Sequence, residues 1–460
     1  MNKVARRSGV VLVLLGLLLA GFVFFLVEYA MKSHEWVVET GSPHVYEEEK
    51  FAGGAVIDRS GLLLLDMTQE GWTYSSDESI RQATLHWVGD REGNIVVPAV
   101  PNYYGEVIRY DFFNGLYAYG GIKKDGGVVQ LTLSAKVQAV ALEALGAYKG
   151  TVAVYNYKTG EILCAVTTPT YDPDNIPDIQ GDPVTYEGAY MNRFVQSAYP
   201  PGSIFKTVTL AAALEEIDGI EDHVFTCNGV WGEGEYAITC EKIHGQQSLE
   251  TAYCNSCNCA FAELSNMLGG ETLLSYVEQF GVTQAITFDG IETADGNFEL
   301  APNAIRLGLS AIGQDTDLVN PCTFLTFLGA IAQGGSSVNP YVVASANDGE
   351  NGYQAQTTQN ESIMSGETAA ILREYMNNNV VSKYDDEKVY FPQLTVCAKT
   401  GTAEVDGDRE PYAMLSGFVM DEQYPLAFII CVEEGGYGEH TGVPIASQVL
   451  TACKEMLDSE

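Results

Sequence analysis

Positive charge is scarce in this sequence. Its 460 residues carry 24 lysines and arginines against 61 aspartates and glutamates, a formal net charge of −37. So acidic a chain repels phosphate backbones, which argues against nucleic acid as a partner. The acidic residues are spread along the chain, apart from a run at Glu47, Glu48 and Glu49. That spread is the pattern of a solvated, self-repelling surface. Repeats of the solenoid or propeller kind are missing. So are a collagen-like period and any long disordered tract: 46% of residues are hydrophobic and 10% aromatic, ordinary for a folded protein. This length accommodates a large core and more than one domain.

A recognisable metal pattern is also lacking among the ten cysteines. Cys227 and Cys240 flank a glycine-rich, turn-like stretch and could pair, while Cys254, Cys257 and Cys259 form C-x-x-C-x-C. A structural metal needs a fourth ligand at a telling spacing, and none stands out, so no metal is expected. Free thiols on an exported chain suit a reducing habitat, which leaves the disulfides open.

The first thirty residues depart from the rest. Lys3, Arg6 and Arg7 precede an uninterrupted apolar run over 10–27. Eighteen residues at about 1.5 Å rise nearly cross a hydrocarbon layer of about 30 Å. Basic residues before the run and acidic ones after it put the N-terminus in the cytoplasm. A cleaved signal peptide has a shorter apolar run and small residues before the cut. Glu28-Tyr29-Ala30 is a poor cleavage site. The expectation is a tail over 1–9, an uncleaved anchor over 10–30 in the cell membrane, and the remainder outside the cell.

Residues 31–127 show short alternating runs at 54–58 and 62–66, with turn signals at 58–61 and 90–94; they read as a small β-containing pedestal. From 128 the pattern strengthens. VVQLTL is strand-like, and Ser134 is placed to cap a helix that stops at Gly146. Two strands, 151–157 and 162–167, flank a turn at Lys158-Thr159-Gly160. A helix before a hairpin suggests an antiparallel sheet with packed helices. Near the C-terminus LTVCAKTGTAE, AMLSGFVM and LAFIICVEE are three further strand-like runs, followed by a helix over 444–457. Between 203 and 326 the periodicity is mostly helical.

Three motifs carry chemistry. Ser203-Ile204-Phe205-Lys206 follows Pro200-Pro201-Gly202, which breaks any preceding element, so a helix is expected to begin at Ser203. Ser and Lys three apart share a helical face, and a helix start offers free N–H groups to a developing oxyanion. Taken alone the tetrad is equally a capping serine and an exposed lysine. Ser256-Cys257-Asn258 alone reads as a polar loop before a helix. Lys399-Thr400-Gly401-Thr402 lies in a strand pattern. There Gly401 would let a ligand backbone come close, and Lys399, Thr400 and Thr402 would aim donors at a carboxylate.

S-x-x-K, S-x-N and K-T-G in this order form the serine acyl-transfer set of penicillin-binding proteins and class A β-lactamases. The sequence resembles class B penicillin-binding proteins, the monofunctional peptidoglycan transpeptidases, from about Val128 to the C-terminus. GTVAVYNYKTGEILCAVTTPTYDPDN resembles that family's first hairpin, NRFVQSAYPPGSIFK its nucleophile segment, and Gly313, Gln314 and Pro321 its G-Q-x…P segment. GGAVIDRSGLLLLD resembles its arginine–aspartate segment after the anchor. Departures are a short region before the catalytic domain, Ala398 before the lysine, and no Trp-Phe pair at 412–415.

The resemblance implies an α+β fold. Its transpeptidase domain over 128–460 has a five-stranded antiparallel sheet with flanking helices and an all-helical subdomain, behind the anchor and pedestal. It implies that Ser203 attacks a stem-peptide D-Ala carbonyl, with a neutral Lys206 as base, lowered by burial and by the charge of Lys399. Ser256 would relay the proton, and Asn258 would orient Lys206 and hold the substrate amide. Thr400, Gly401 and Thr402 would bind substrate, and the N–H groups of Ser203 and Thr402 would form the oxyanion hole. Stem peptides and β-lactams are the implied ligands, a membrane glycosyltransferase the implied partner, and no cofactor is implied. A class A β-lactamase uses the same motifs and adds a deacylating glutamate, but no E-x-x-L-N segment lies between the second and third; a D,D-carboxypeptidase differs only in accepting water rather than an amine and stays open as an alternative. A sensor or non-catalytic scaffold fits less well, since all four of Ser203, Lys206, Ser256 and Lys399 are present.

Overall fold

The computed structural model describes residues 2–37, 54–68, 71–103, 107, 110–111, 115–116, 127–234, 237–347, 352–385, 388–405 and 409–460. The acidic run at 47–49 and a large part of the 31–127 pedestal lie outside the described residues. Helix α1 (Asn2–Val37) includes a 27-residue stretch, Arg6–Lys32, long and apolar enough to cross a membrane and buried nowhere against the protein. Lipid is the solvent that suits such a surface.

The chain then forms β1 (Gly54–Ile57), β2 (Leu63–Thr68), β3 (Gly71–Tyr74) and α2 (Glu78–Val88). Next come β4 (Val128–Leu131), α3 (Ala135–Leu145), β5 (Lys149–Asn156) and β6 (Ile162–Thr168). Ser134 caps α3 through the Val137 N–H, and Gly146 ends it, as the sequence predicts. The middle is helical: α4 (Lys206–Glu216), α5 (Leu249–Cys254), α6 (Asn258–Leu268), α7 (Gly270–Phe280), α8 (Ala304–Ala311) and α9 (Pro321–Gln333). Short two-stranded ribbons interrupt these helices at 225–247 and 287–292, an addition to the expected all-helical subdomain. There follow β7 (Val343–Asn347), β8 (Gly352–Gln354), α10 (Gly366–Lys383), β9 (Val396–Ala403), β10 (Tyr412–Val419), β11 (Leu426–Glu433) and α11 (Gly438–Ser459).

The central sheet has the order β9-β10-β11-β5-β6, antiparallel throughout. Its strands are apolar on both faces because both are covered. Alternation sends Val152, Val154, Leu415 and Ile430 into one core with α3 and α11, and Ala153, Tyr155, Met414 and Ile429 into the other with α9. Helix α11 begins at Gly438, six residues before the expected start. Pro444, the expected first residue, lies inside the helix.

A second sheet, β8-β7-β4-β1-β2-β3, draws strands from both sides of residue 128. The segment before 128 is therefore tied into the sheets of the following one. Asp58 fastens this junction by accepting from Ser60 and Leu62 and, at 3.0 Å, from the Ala135 N–H that opens α3. Arg59 reaches Glu460 at 2.6 Å, and Trp87 Nε1 donates to Ala165 O at 2.7 Å.

Candidate active site

Two prolines deliver the chain to Gly202, whose φ of 53° is the left-handed conformation glycine adopts without penalty. A Cβ here would meet Thr402 O at 2.6 Å. The Gly202 N–H donates to Gly313 O at 3.0 Å, and a Cβ on Gly313 would stand 2.4 Å from Gly202 O. Backbone thus touches backbone at the turn bearing Ser203. That turn is a short 3-10 segment, Gly202–Phe205, and α4 starts at Lys206 rather than at Ser203. Proline and left-handed glycine just upstream tighten the first turn. The continuous helical path still puts Lys206 one turn beyond the serine.

Lys206 is wholly buried. Its Nζ lies 3.0 Å from Ser203 Oγ, 2.7 Å from Ser256 O, 3.1 Å from Ser256 Oγ and 2.6 Å from Asn258 Oδ1. The Ser256 carbonyl and the Asn258 amide oxygen only accept hydrogen bonds. They take both N–H donors of a neutral amine and leave its lone pair for the serine hydroxyls. Burial lowers the Lys206 pKa from 10.5 to about 8. Burial is the largest cause, a correction to the expected share of Lys399. The repulsion between the two lysines registers instead at Lys399, also buried and held well below the ordinary lysine range by burial first and Lys206 second.

Ser256 Oγ bridges the two amines, 3.1 Å from Lys206 Nζ and 3.0 Å from Lys399 Nζ. Ser256 itself has φ 50°, a left-handed conformation costly for a residue with a Cβ. It sits between α5 and α6, where Cys257 Sγ caps α6 through the Ala260 N–H. Asn258 Nδ2 donates one of its two N–H groups to Thr239 O at 2.8 Å.

Strand β9 is the sheet edge. Its outer row is closed at Val396 and Ala398 by Asn377 and Asn379 of α10, each donating at 2.8 Å to a carbonyl. Further along, Thr400 O accepts from Lys399 Nζ at 2.9 Å and Thr402 O from Gln314 Nε2 at 2.9 Å. These carbonyls mark the outward row, and in an antiparallel strand a residue's N–H lies on the same side as its C=O. The Thr402 N–H therefore faces the Ser203 turn. Lys399 projects from the opposite face of the strand from Thr400 and Thr402, by alternation, and its amine is engaged by Ser256 and Thr400 O. Gly401 has a role different from the expected one. A Cβ there would meet Ile204 Cγ2, Met414 Cβ and Pro201 O, all at 3.0 Å. The missing side chain makes room for the chain's own serine turn, not for a ligand.

All eight sequence-predicted residues thus gather at one place. Sequence reasoning missed Gln314 as the clasp between the serine turn and β9, and the asparagines of α10. It also missed Arg193, only 5% exposed, whose Nε donates to Glu433 at 2.8 Å while Tyr199 OH donates to the same oxygen at 3.2 Å. This pair anchors the segment leading into Pro200 to the end of β11. One cluster of side chains bears on the metal expectation. Cys227, Cys240, His244 and Cys257 bring their ligand atoms within 4.8 Å of one another. All ten cysteines are free, so Cys227 and Cys240 are not joined.

Residues 150–451 match the family model described as penicillin binding protein transpeptidase domain. The chain belongs to this family. It is similar to peptidoglycan D,D-transpeptidase PbpA of Mycobacterium tuberculosis, at 28% identity over 373 residues, which cover 74% of each protein. It is 31% identical over 302 residues to stage V sporulation protein D of Bacillus subtilis, covering 61% of this chain and 45% of that one. Among solved structures, the transpeptidase domain of a peptidoglycan glycosyltransferase from Eggerthella lenta superposes with a TM-score of 0.72 at 25% identity, covering 88% of this chain and 98% of that one. The imipenem acyl-enzyme of M. tuberculosis penicillin-binding protein A gives 0.76 at 24% identity, covering 89% and 99%. The resemblance to class B penicillin-binding proteins therefore extends to the whole α+β architecture.

Proposed function

We propose that this chain is a membrane-anchored peptidoglycan D,D-transpeptidase that proceeds through a Ser203 acyl-enzyme and is blocked by β-lactams acylating the same serine. The observation that carries this reading is the Lys206 amine. It is buried, its N–H donors are occupied by two obligate acceptors, and its remaining lone pair lies 3.0 Å from Ser203 Oγ. A serine hydroxyl is a weak nucleophile, and an uncharged amine at this distance is the base it needs.

Ser203 Oγ attacks the carbonyl carbon of the penultimate D-Ala as its proton passes to Lys206 Nζ. The oxyanion is held by the N–H groups of Ser203 and Thr402, each donor of this kind being worth about 3 kcal/mol in acyl transfer. Ser256 Oγ, in contact with both amines, passes the proton to the departing D-Ala nitrogen, the C–N bond breaks, and the acyl ester remains. Asn258 orients Lys206. Thr400 and Thr402 receive the terminal carboxylate. An amine of a neighbouring stem peptide then attacks the ester, releases Ser203 and makes the cross-link.

Residues 10–30 serve as the anchor, 31–127 as the pedestal and 128–460 as the transpeptidase unit, with the N-terminus cytoplasmic and the catalytic unit outside. A membrane glycosyltransferase of the shape, division or sporulation group supplies the glycan strands. The test is a two-substrate assay with a D-Ala-D-Ala pentapeptide donor and a diamino-acid acceptor. Wild type releases D-Ala and forms the acceptor-linked dimer, and Ser203→Ala does neither. Release of D-Ala with water as the sole acceptor would assign the chain to hydrolysis, and product from Ser203→Ala would end the proposal.

A further inference from the structure

We propose that Cys227, Cys240, His244 and Cys257 form a tetrahedral site for a zinc-type metal ion, and that this ion clasps the Ser256–Asn258 segment in place. In sequence the four read C-x12-C-x3-H-x12-C. The fold brings them together by register. Gly245 pairs with Cys227 across a short ribbon, which sets His244 beside that cysteine. The Cys240 N–H donates to Gly229 O at 2.9 Å, folding the intervening loop back over the ribbon. Cys257 arrives from the start of α6.

The spacing of the ligand atoms is that of a coordination shell. Zn–S bonds of about 2.3 Å and Zn–N bonds of about 2.0–2.1 Å in tetrahedral geometry put sulfurs about 3.8 Å apart and sulfur about 3.6 Å from nitrogen. Here Cys240 Sγ lies 3.7 Å from Cys257 Sγ, and Cys227 Sγ lies 3.5 Å from His244 Nδ1. Two opposite edges of the tetrahedron are thus already at coordination length. Backbone donors support the sulfurs: the Cys259 N–H points at Cys240 Sγ at 3.3 Å and the Ala260 N–H at Cys257 Sγ at 3.4 Å. Such N–H···S contacts orient thiolate ligands and spread their charge. Three sulfurs and one imidazole select a thiophilic divalent ion over magnesium or calcium. Binding replaces the thiol protons, which leave to solvent, with metal–sulfur bonds; no electron is transferred.

The site is continuous with the Lys206 network. Cys257 is the middle residue of the motif whose flanking residues, Ser256 and Asn258, contact Lys206. Asn258 Nδ2 is held by the carbonyl of Thr239, the neighbour of Cys240. An ion joining Cys240 to Cys257 therefore ties together the two segments that position Asn258. This effect on acylation rests on the function proposed above, whereas metal occupancy does not.

The test uses the full chain in detergent, purified anaerobically with reductant. Elemental analysis is expected to give one zinc per chain. The stripped protein titrated with cobalt(II) is expected to develop the thiolate charge-transfer and visible bands of a tetrahedral cobalt site, saturating at one equivalent. Cys257→Ser and His244→Ala lose the metal, while Cys254→Ser, outside the cluster, retains it. Should a variant fail to fold, the cobalt titration of the wild-type chain decides alone. Absence of both zinc and the cobalt spectrum would overturn the site. So would a disulfide linking any two ligands, or metal bound equally by wild type, Cys227→Ser and His244→Ala. Stripping the metal is expected to slow penicillin acylation at least tenfold, with recovery on adding zinc. Unchanged acylation in a metal-free chain would overturn the clasp, and a metal-loaded chain inert to penicillin would fault the proposed function instead.

Discussion

The protonation of Lys206 gives the most discriminating prediction. Burial places its pKa at about 8, so about one tenth of the enzyme carries the neutral base at pH 7. The active form is the deprotonated one, so acylation rises with pH. From pH 6 to pH 9 the neutral fraction grows about 90-fold, then levels off. A lysine with the ordinary value of about 10.4 would grow about a thousandfold over the same interval and still be climbing tenfold per unit. The two cases differ in amplitude and in the presence of a plateau. The measurement is the second-order rate constant for acylation by a fluorescent penicillin, taken in single-turnover mode from pH 6 to 9.5. A midpoint near pH 8 is expected. A flat profile would show that Lys206 is not the base, and a rate still climbing at pH 9.5 would show that burial does not set its proton affinity.

Gly202→Ala puts a methyl 2.6 Å from Thr402 O at a left-handed position; it should push the serine turn off β9 and slow acylation about 100-fold while the chain remains folded. Arg193→Met strands Glu433, and chemical denaturation should show a loss of about 2–3 kcal/mol, below the range for fully buried pairs because Glu433 is 21% exposed; a loss under about 0.5 kcal/mol would contradict it. Burial raises the Asp317 carboxyl well above its ordinary range, with the Asp315 charge adding to it. Its folded form holds the proton more tightly, so its contribution is complete below pH ~4 and is lost as pH rises through the raised value. Asp317→Asn should therefore unfold at a higher temperature than wild type, by a margin wider at pH 8 than at pH 5, and an equal margin at the two would refute this.

The long apolar N-terminal helix, the helix capped by Ser134, the flanking hairpin and the three C-terminal strands were legible because each is a local pattern with its own punctuation. The chemical motifs were legible for a similar reason: each is a short run of fixed spacing, and their order supplied the specificity that none has alone. What stayed hidden depends on contacts between distant segments. Gln314 is a polar residue after a glycine until β9 lies beside it. The asparagines at 377 and 379 look like ordinary helix-surface residues until an exposed strand edge meets them. Ser256 gives no sign of its left-handed backbone, since no glycine or asparagine occupies the position. The cysteine cluster escaped notice because its histidine lies just before a ribbon strand whose register, not its sequence, sets it against Cys227. Pro444 misled because proline is as common in a first turn as it is rare further in.

Peptide mapping by mass spectrometry after brief exposure to benzylpenicillin tests the central claim most directly. The account predicts one intact penicilloyl group per chain, on the peptide containing Ser203, and none on Ser203→Ala. An adduct on Ser256 or Lys399, or an equal adduct on the variant, would contradict it.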